Sequence, residues 1–273
     1  MAETPTLTDR TALNLHRARA APEPALFLHE AAADDVQDRL MAVNRSFTST
    51  AIVTPYPEVW AARWPDARIV ADGDVLDLEE DAHDLVIHGL ALHWADDPVG
   101  QIIQCRRALK PDGLFLGVAF GGRTLAELRQ ALGQAEIEET GGLSPRVAPM
   151  ADIRDLGALL QRAGLAMPVA DAVPLQVSYG SPLHLMQDLR KMGETNALHD
   201  RLRRFTRRQV LMRAAEIYAE AHGGTDGRIL STFELVTLTG WAPDASQPKP
   251  LRPGSATARL ADALGTDETK LRD

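Results

Sequence analysis

The chain has 273 residues, 45% hydrophobic and 25% charged, with 29 basic against 38 acidic side chains and a formal net charge of −9. That composition is that of an ordinary globular protein and excludes disordered, collagen-like and coiled-coil chains, and the carboxylate excess argues against nucleic acid or an anionic membrane as the main partner. No apolar run reaches the roughly 18–20 residues a bilayer span needs, Met1 to Arg10 has no apolar signal core, and the single Cys105 can form no internal disulfide, so the expectation is a cytoplasmic protein without a membrane span or a nucleic-acid partner.

In chain order, Pro22-Glu-Pro24 marks a break, and the residues up to about Ala21 read as a short helix or a loose arm. Val36, Leu40, Val43 and Phe47 then recur with a helical period, with Asp34 and Asp35 at its predicted start. Short apolar runs follow: Ala51-Ile-Val53, Arg68 to Ala71, Leu85 to His88, and Leu114 to Ala119. Between the first two, Pro55 and Pro57 precede a short helix carrying Trp60 and Trp64. Between the last two, Asp97 and Pro98 open a helix that buries Val99, Ile102, Ile103 and Leu109, and Pro111-Asp-Gly113 turns into the next strand. Apolar strands alternating with amphipathic helices predict an α/β fold with a parallel sheet.

After Phe120 helices dominate. Thr124 and Glu127 form a capping-box pair, and Gly141-Gly142 ends that helix. Asp152 caps a second one, closed by Gly164. Val169 to Tyr179 is extended, about 182–221 is helical with Val210, Ala214, Ile217, Tyr218 and Ala221 on one face, and Thr232 to Thr239 is a late strand. Pro243 to Pro253 holds four prolines and is expected to run extended. The organisation expected is N-terminal helices 1–48, an α/β core over 49–181 and 229–242, a helical insertion 182–228 and an extended tail 243–273.

Leu92-His93-Trp94, the strand Asp84-Leu-Val-Ile87, and Arg107-Ala-Leu-Lys110-Pro-Asp-Gly-Leu-Phe-Leu116 resemble the class I S-adenosylmethionine methyltransferases. Further motifs are Gly121-Gly-Arg-Thr124-Leu, Asp155 to Gly164, Met192-Gly-Glu-Thr-Asn196, Leu238-Thr-Gly-Trp241-Ala-Pro and Lys249-Pro-Leu-Arg-Pro-Gly-Ser255. Together these resemble the bacterial relatives of the mitochondrial complex I assembly factor that hydroxylates an arginine, a branch similar to the malonyl-carrier-protein methyltransferases of biotin synthesis. The resemblance runs from about Ala33 to Ala256 and implies a Rossmann-like methyltransferase sheet with S-adenosylmethionine as cofactor.

One departure outweighs the matches. The family ends its first strand in a glycine-rich loop whose backbone approaches the cofactor. Here that place reads Ala51-Ile-Val-Thr-Pro-Tyr-Pro-Glu58, without a glycine. Only about sixteen residues separate Ala51 from Arg68, too few for a crossover plus a second strand and its loop. Arg68 to Asp72 is therefore aligned with the family's third strand, and the sheet is expected to be reduced by one βα unit.

The resemblance places Asp72 near the adenine edge as a cofactor contact; otherwise it is a solvated turn acid in Asp-Gly-Asp74. His88, at a strand's C-terminal end where open parallel sheets bind ligands, is a base, a ligand or a crevice filler. His93 is a cofactor contact or holds a loop by hydrogen bonding, and Trp94 packs under the next helix. His83, His88 and His93 share no face of a helix or strand, so no metal site is indicated. Cys105 reads as a small buried hydrophobe. The five arginines between Arg201 and Arg208 are the basic patch of an acidic chain, a solvated face or a dock for an acidic partner. Function divides between a pseudo-enzyme that keeps the fold as a binding or assembly module with a protein partner and an active S-adenosylmethionine-dependent methyltransferase or arginine hydroxylase. Loss of the glycine loop favours the first, and cofactor binding is not expected.

Overall fold

The computed structural model describes residues 6–248 and 260–266, in two compact units, Met1–Pro243 and Asp244–Asp273. The first unit begins with α1 (Arg10–Ala20), capped by the Asp9 carboxylate, which accepts from the Ala12 N–H. Helix α2 (Phe27–Ala42) starts directly after the proline break rather than at Asp34, and buries Leu28, His29, Ala32, Ala33 and Val36. Asp34 and Asp35 sit mid-helix because each has an ion-pair partner there, Arg63 at 2.5 Å and Arg39 at 2.7 Å. Val43 already has extended backbone, so Val43 and Phe47 do not continue the helix.

The sheet follows: β1 (Thr50–Val53), α3 (Pro57–Ala61), β2 (Arg68–Val70), β3 (His83–Gly89), a 3-10 turn (Leu92–Trp94), α4 (Pro98–Ala108) and β4 (Leu109–Phe120). After these come α5 (Ala126–Thr140), α6 (Ile153–Arg162), β5 (Ala166–Tyr179), α7 (Pro182–Lys191), α8 (Arg208–His222) and β6 (Ile229–Trp241). The strand order is β2-β1-β3-β4-β6-β5. The first four strands are parallel, and β6 runs antiparallel to both β4 and β5. Val53 is in register with Val70 and His88, and His88 with Gly117, so the loops after these strands leave one edge of the sheet together.

Alternation along each strand explains why both faces are covered. Ile52, Leu85, Ile87, Leu114 and Leu116 join a core with α2, α3, α5 and α8. Their neighbours Ala51, Val53, Val86 and Phe115 join a second core with Ile102 and Cys105 of α4 and Leu156 and Leu160 of α6. Side chains at period two point to opposite faces, so a strand buried on both sides reads as a continuous apolar run. Gly89 lets β3 approach α3: a Cβ there would lie 2.5 Å from Trp60 Cζ2 and 2.6 Å from Cε2. Trp60 is wholly buried and cannot swing away. Gly89→Ala is therefore expected to cost about 1–3 kcal/mol, measurable by urea denaturation; an unchanged midpoint would contradict this packing.

Several local expectations are corrected. No capping box opens α5: its N-cap is Leu125, at φ +54° and without a side-chain cap. Thr124 and Glu127 serve β6 instead. The Thr124 hydroxyl accepts from the Glu234 N–H at 3.0 Å, and Glu127 accepts from the Thr232 N–H at 3.3 Å and from its hydroxyl. Lys110 to Gly113 is a bulge within β4 rather than a turn before it, since pairing jumps from His83↔Leu109 to Leu85↔Leu114 with Asp112 at φ +58°. On α8, Val210, Ala214, Ile217 and Tyr218 are buried, but Ala221 in the last turn is exposed. In the second unit the tail is not extended throughout. Asp244 accepts from the Ser246 N–H at 2.8 Å in a turn, and α9 (Leu260–Leu264) forms from Leu-Ala-Asp-Ala-Leu, four of whose five residues are strong helix formers. The Lys249–Ser255 motif lies outside the described residues. Trp241 ends β6, with the Arg45 guanidinium 5.7 Å from its ring centroid.

Candidate functional site

The loops leaving β1, β2, β3 and β4 meet α1, α2 and the segment after α7 above the C-terminal edge of the parallel strands. After β1, Thr54 donates its N–H to Val70 O at 3.0 Å and its hydroxyl accepts from the Tyr56 N–H at 3.2 Å. This tight turn directs the Tyr56 ring inward, where it is 5% exposed. The Tyr56 hydroxyl donates to Met192 O at 2.6 Å, and burial pushes its pKa up to about 12. Gly193, at φ +72°, makes this approach possible: a Cβ there would lie 2.5 Å from the Tyr56 oxygen.

After β2 comes Asp72. It is 7% exposed and so is not a solvated turn acid. The Arg17 Nη1 donates to both carboxylate oxygens at 2.9 Å, the Arg10 Nη1 to one at 3.2 Å, and the Arg10 Nη2 to the Asp72 carbonyl. β2 pairs directly with β1, as the loss of one βα unit leaves it, so Asp72 ends the strand flanking the first. The reason is topological: with α3 alone between them, the free edge of β1 is paired by β2.

After β3, His88 is wholly buried. Its Nε2 donates to Gln101 Oε1 at 2.9 Å, and the Gln101 amide donates to Gly73 O at 2.8 Å. Burial holds the His88 pKa down, leaving a neutral ring that braces the Asp72 loop. In the 3-10 turn, His93 Nε2 lies 3.2 Å from Glu194 Oε2 and the Trp94 indole donates to the same oxygen at 2.7 Å. Burial alone would raise the Glu194 pKa, but His93, Arg17 and the Trp94 N–H hold it below the usual carboxylate value. From α2, His29 Nδ1 accepts from the Trp60 indole at 3.4 Å, and its ring meets Tyr56 edge-on at 4.8 Å. Burial holds the His29 pKa down to about 4.

Asp72, His88 and His93 thus lie at one end of the sheet, but they have different partners. Arg10, Arg17, His29 and Glu194 are the residues that sequence reasoning missed. The Met192–Asn196 motif was the available signal for Glu194, and each of its positions has work here. Met192 O accepts from Tyr56, Gly193 admits the ring, and Glu194 holds His93 and Trp94. Thr195 O faces His16 Nδ1 at 3.2 Å, and the Asn196 amide donates to Pro145 O at 2.7 Å. Beside Glu194 lies a cavity of about 170 Å³, lined among others by Trp94, Phe120, Met150, Met192 and Phe233. An apolar cavity near 150 Å³ takes a benzene-sized group, so this one has room for a single side chain. His83 faces Ser49 Oγ at 3.4 Å, away from the others. No three His, Cys, Asp or Glu residues are grouped to hold a metal ion among the described residues.

The class I cofactor implied by the sequence motifs fits these residues poorly. Pro55 and Pro57 offer no N–H, the buried Tyr56 ring fills the turn, and both Asp72 oxygens are engaged by arginines.

A family profile described as a methyltransferase domain matches residues 27–117. The mitochondrial arginine-hydroxylase NDUFAF5 of Danio rerio is 40% identical over 198 residues, 72% of this chain and 61% of that protein. The malonyl-[acyl-carrier protein] O-methyltransferase of Nitrosospira multiformis is 34% identical over 175 residues, 64% of this chain and 54% of that one. The chain therefore spans between about half and three fifths of the length of these curated relatives. A solved phosphoethanolamine N-methyltransferase of Haemonchus contortus aligns with a TM-score of 0.44 at 11% identity, covering 77% of this chain and 53% of that one. No helix among the described residues is long and apolar enough to cross a membrane. Residues 27–117 thus match a methyltransferase-domain profile within a six-stranded α/β sheet of Rossmann-like kind, and over 64–72% of its length the chain is similar to the arginine hydroxylases and the malonyl-carrier-protein methyltransferases.

Proposed function

We propose that this protein does not methylate and keeps the methyltransferase fold as a binding or assembly module for a protein partner, in a reducing, cytoplasmic compartment. The observation that carries this reading is the filling of the cofactor end by the chain's own side chains. Tyr56 occupies the turn where a glycine loop would offer N–H groups, and Asp72 is held by Arg10 and Arg17 at 2.9–3.2 Å. A micromolar Kd corresponds to about −8 kcal/mol, and the usual donors of that energy are replaced. The protein partner is suggested by the arginine-hydroxylase relatives, whose branch the sequence motifs join to an assembly factor.

A cofactor at a hundredfold excess over Kd stabilises the folded state by about 2.7 kcal/mol, a shift of several degrees for a protein of this size. No shift is expected with millimolar S-adenosylmethionine or its demethylated product, and no heat in titration calorimetry. A saturable micromolar heat would return the chain to the methyltransferases.

A second reading, an arginine-directed enzyme, is favoured by Glu194. It places a buried, ionised carboxylate against a cavity walled by Trp94, Phe120 and Phe233, a chemistry that suits a guanidinium. That reading expects arginine amide to stabilise the protein and Glu194→Gln to abolish the effect.

A further inference from the structure

The loop before α8 reads Arg203-Arg204-Phe205-Thr206-Arg207-Arg208. Phe205 is 101% exposed, and the four arginines around it are exposed as well. Arg201 turns inward onto Asp9 at 2.9 Å, and Arg203 reaches the same carboxylate at 3.6 Å. Arg204, Arg207 and Arg208 have no ion pair among the described residues.

Three acids on the neighbouring helices have arginine partners of their own: Glu136 pairs with Arg146 at 2.6 Å, and Glu138 and Glu216 with Arg213 at 2.7 and 3.3 Å. Asp200, 2.9 Å from His199, stays exposed beside the loop. The net charge of −9 belongs to the whole chain. At physiological salt, charges more than about 8 Å away are largely screened, so the loop presents a local cationic surface.

The loop is also held in place. The Arg146 Nη1 donates to the Thr206 hydroxyl at 2.6 Å, and Val210 donates its N–H to Arg207 O at 3.1 Å where α8 begins. Such anchors keep the phenyl ring outward instead of letting the loop fold back. Met212, 42% exposed, stands one helical turn after Arg208, and Leu143, 71% exposed, lies on the segment that carries Arg146.

We propose that this loop docks the protein on an anionic bilayer surface, with Phe205 entering the headgroup–acyl boundary and Arg204, Arg207 and Arg208 pairing with lipid phosphates. Aromatic and aliphatic side chains set among arginines are the chemistry of an interfacial anchor. A ring open on all sides at the tip of a loop favours a bilayer over an acidic protein, which would have to supply the entire pocket. This surface is separate from the cofactor end, and the inference stands whether or not S-adenosylmethionine binds.

The test is flotation of the full chain with phosphatidylcholine vesicles, with and without phosphatidylglycerol. Binding is expected only to the anionic vesicles and should fall as salt rises. Each guanidinium near such a surface contributes about fivefold, so Arg204→Glu with Arg207→Glu should weaken binding by about a hundredfold or more, and Phe205→Ser by about tenfold. Both variants alter exposed residues and should melt as the parent does. Absence of binding, equal binding to neutral vesicles, or binding that neither variant weakens would overturn the proposal. So would binding to polyglutamate without binding to anionic vesicles, which would assign the loop to an acidic protein.

Discussion

Asp72→Ala is expected to lower the unfolding free energy by about 3–5 kcal/mol, the cost of leaving a buried charge without its partner. The Asp72 and Arg17 side chains are only 9% and 11% exposed. Arg10 would keep Asp74 at 3.7 Å, but Arg17 would lose its main counter-ion while its Nε and Nη2 already lack hydrogen-bond partners among the described residues. For a protein of this size each kcal/mol moves the melting temperature by about 2–4 °C, so a fall of roughly 10 °C is expected. Adding Arg17→Leu should recover a large part of the loss, because an apolar replacement for a buried ion pair is often neutral. If Asp72→Ala costs less than about 1 kcal/mol, the arginines are solvated and the cofactor end is open. The proposal of a self-filled site would then fail.

The protein should lose stability in mild acid, and His29 should account for a large share. Its pKa stands at about 4 in the fold, against the ordinary histidine value of 6.5 in the unfolded chain. Between those values the unfolded chain binds the proton and the folded chain does not, so unfolding is favoured as pH falls. The contribution is fully present above about pH 6.5, is lost progressively toward pH 4, and is flat below that. A shift of this size corresponds to about 3 kcal/mol over the whole window and about 2 kcal/mol between pH 7 and pH 5. Protonation at Nδ1 would also break the bond from the Trp60 indole. His88, His83 and His16 are likewise held down by burial and act in the same direction. Urea denaturation at the two pH values should show a smaller difference for His29→Gln than for the parent. Equal differences would mean that His29 takes up its proton without unfolding.

Much of the sheet was legible in the sequence. Ala51–Val53, Arg68–Ala71, Leu85–His88 and Leu114–Ala119 are short apolar runs, and each forms a strand, the second ending one residue earlier at Val70. Asp97 and Asp152 are caps as their positions predict, accepting from Gly100 and Arg154, because capping is a contact between residues two or three positions apart. Readings failed where a distant partner claimed the residue. Asp34 and Asp35 look like a helix start but lie inside α2, where Asp34 pairs with Arg63 and Asp35 accepts from the Thr237 hydroxyl. Thr124 and Glu127 have capping-box spacing, yet both bond to β6, more than a hundred positions away.

The candidate site divides in the same way. Strand periodicity, the motif residues and the absence of glycine in Thr54–Pro57 were set by the sequence alone, since each depends on local geometry or on residue type. What fills the glycine-less turn was decided by the tertiary structure. Arg17 reaches Asp72 from 55 positions away, Tyr56 bonds to Met192 across 136, and Trp94 to Glu194 across 100. Arg17, Asp72 and Glu194 are of types common on a solvated surface, and nothing local in the sequence marks them as buried. Only the packing of α1, α2 and the Met192–Asn196 segment over the strand ends removes water from them. Burial then forces each group to find a partner, because an unpaired charge or hydrogen-bonding group in a dry interior costs more than the fold can spare.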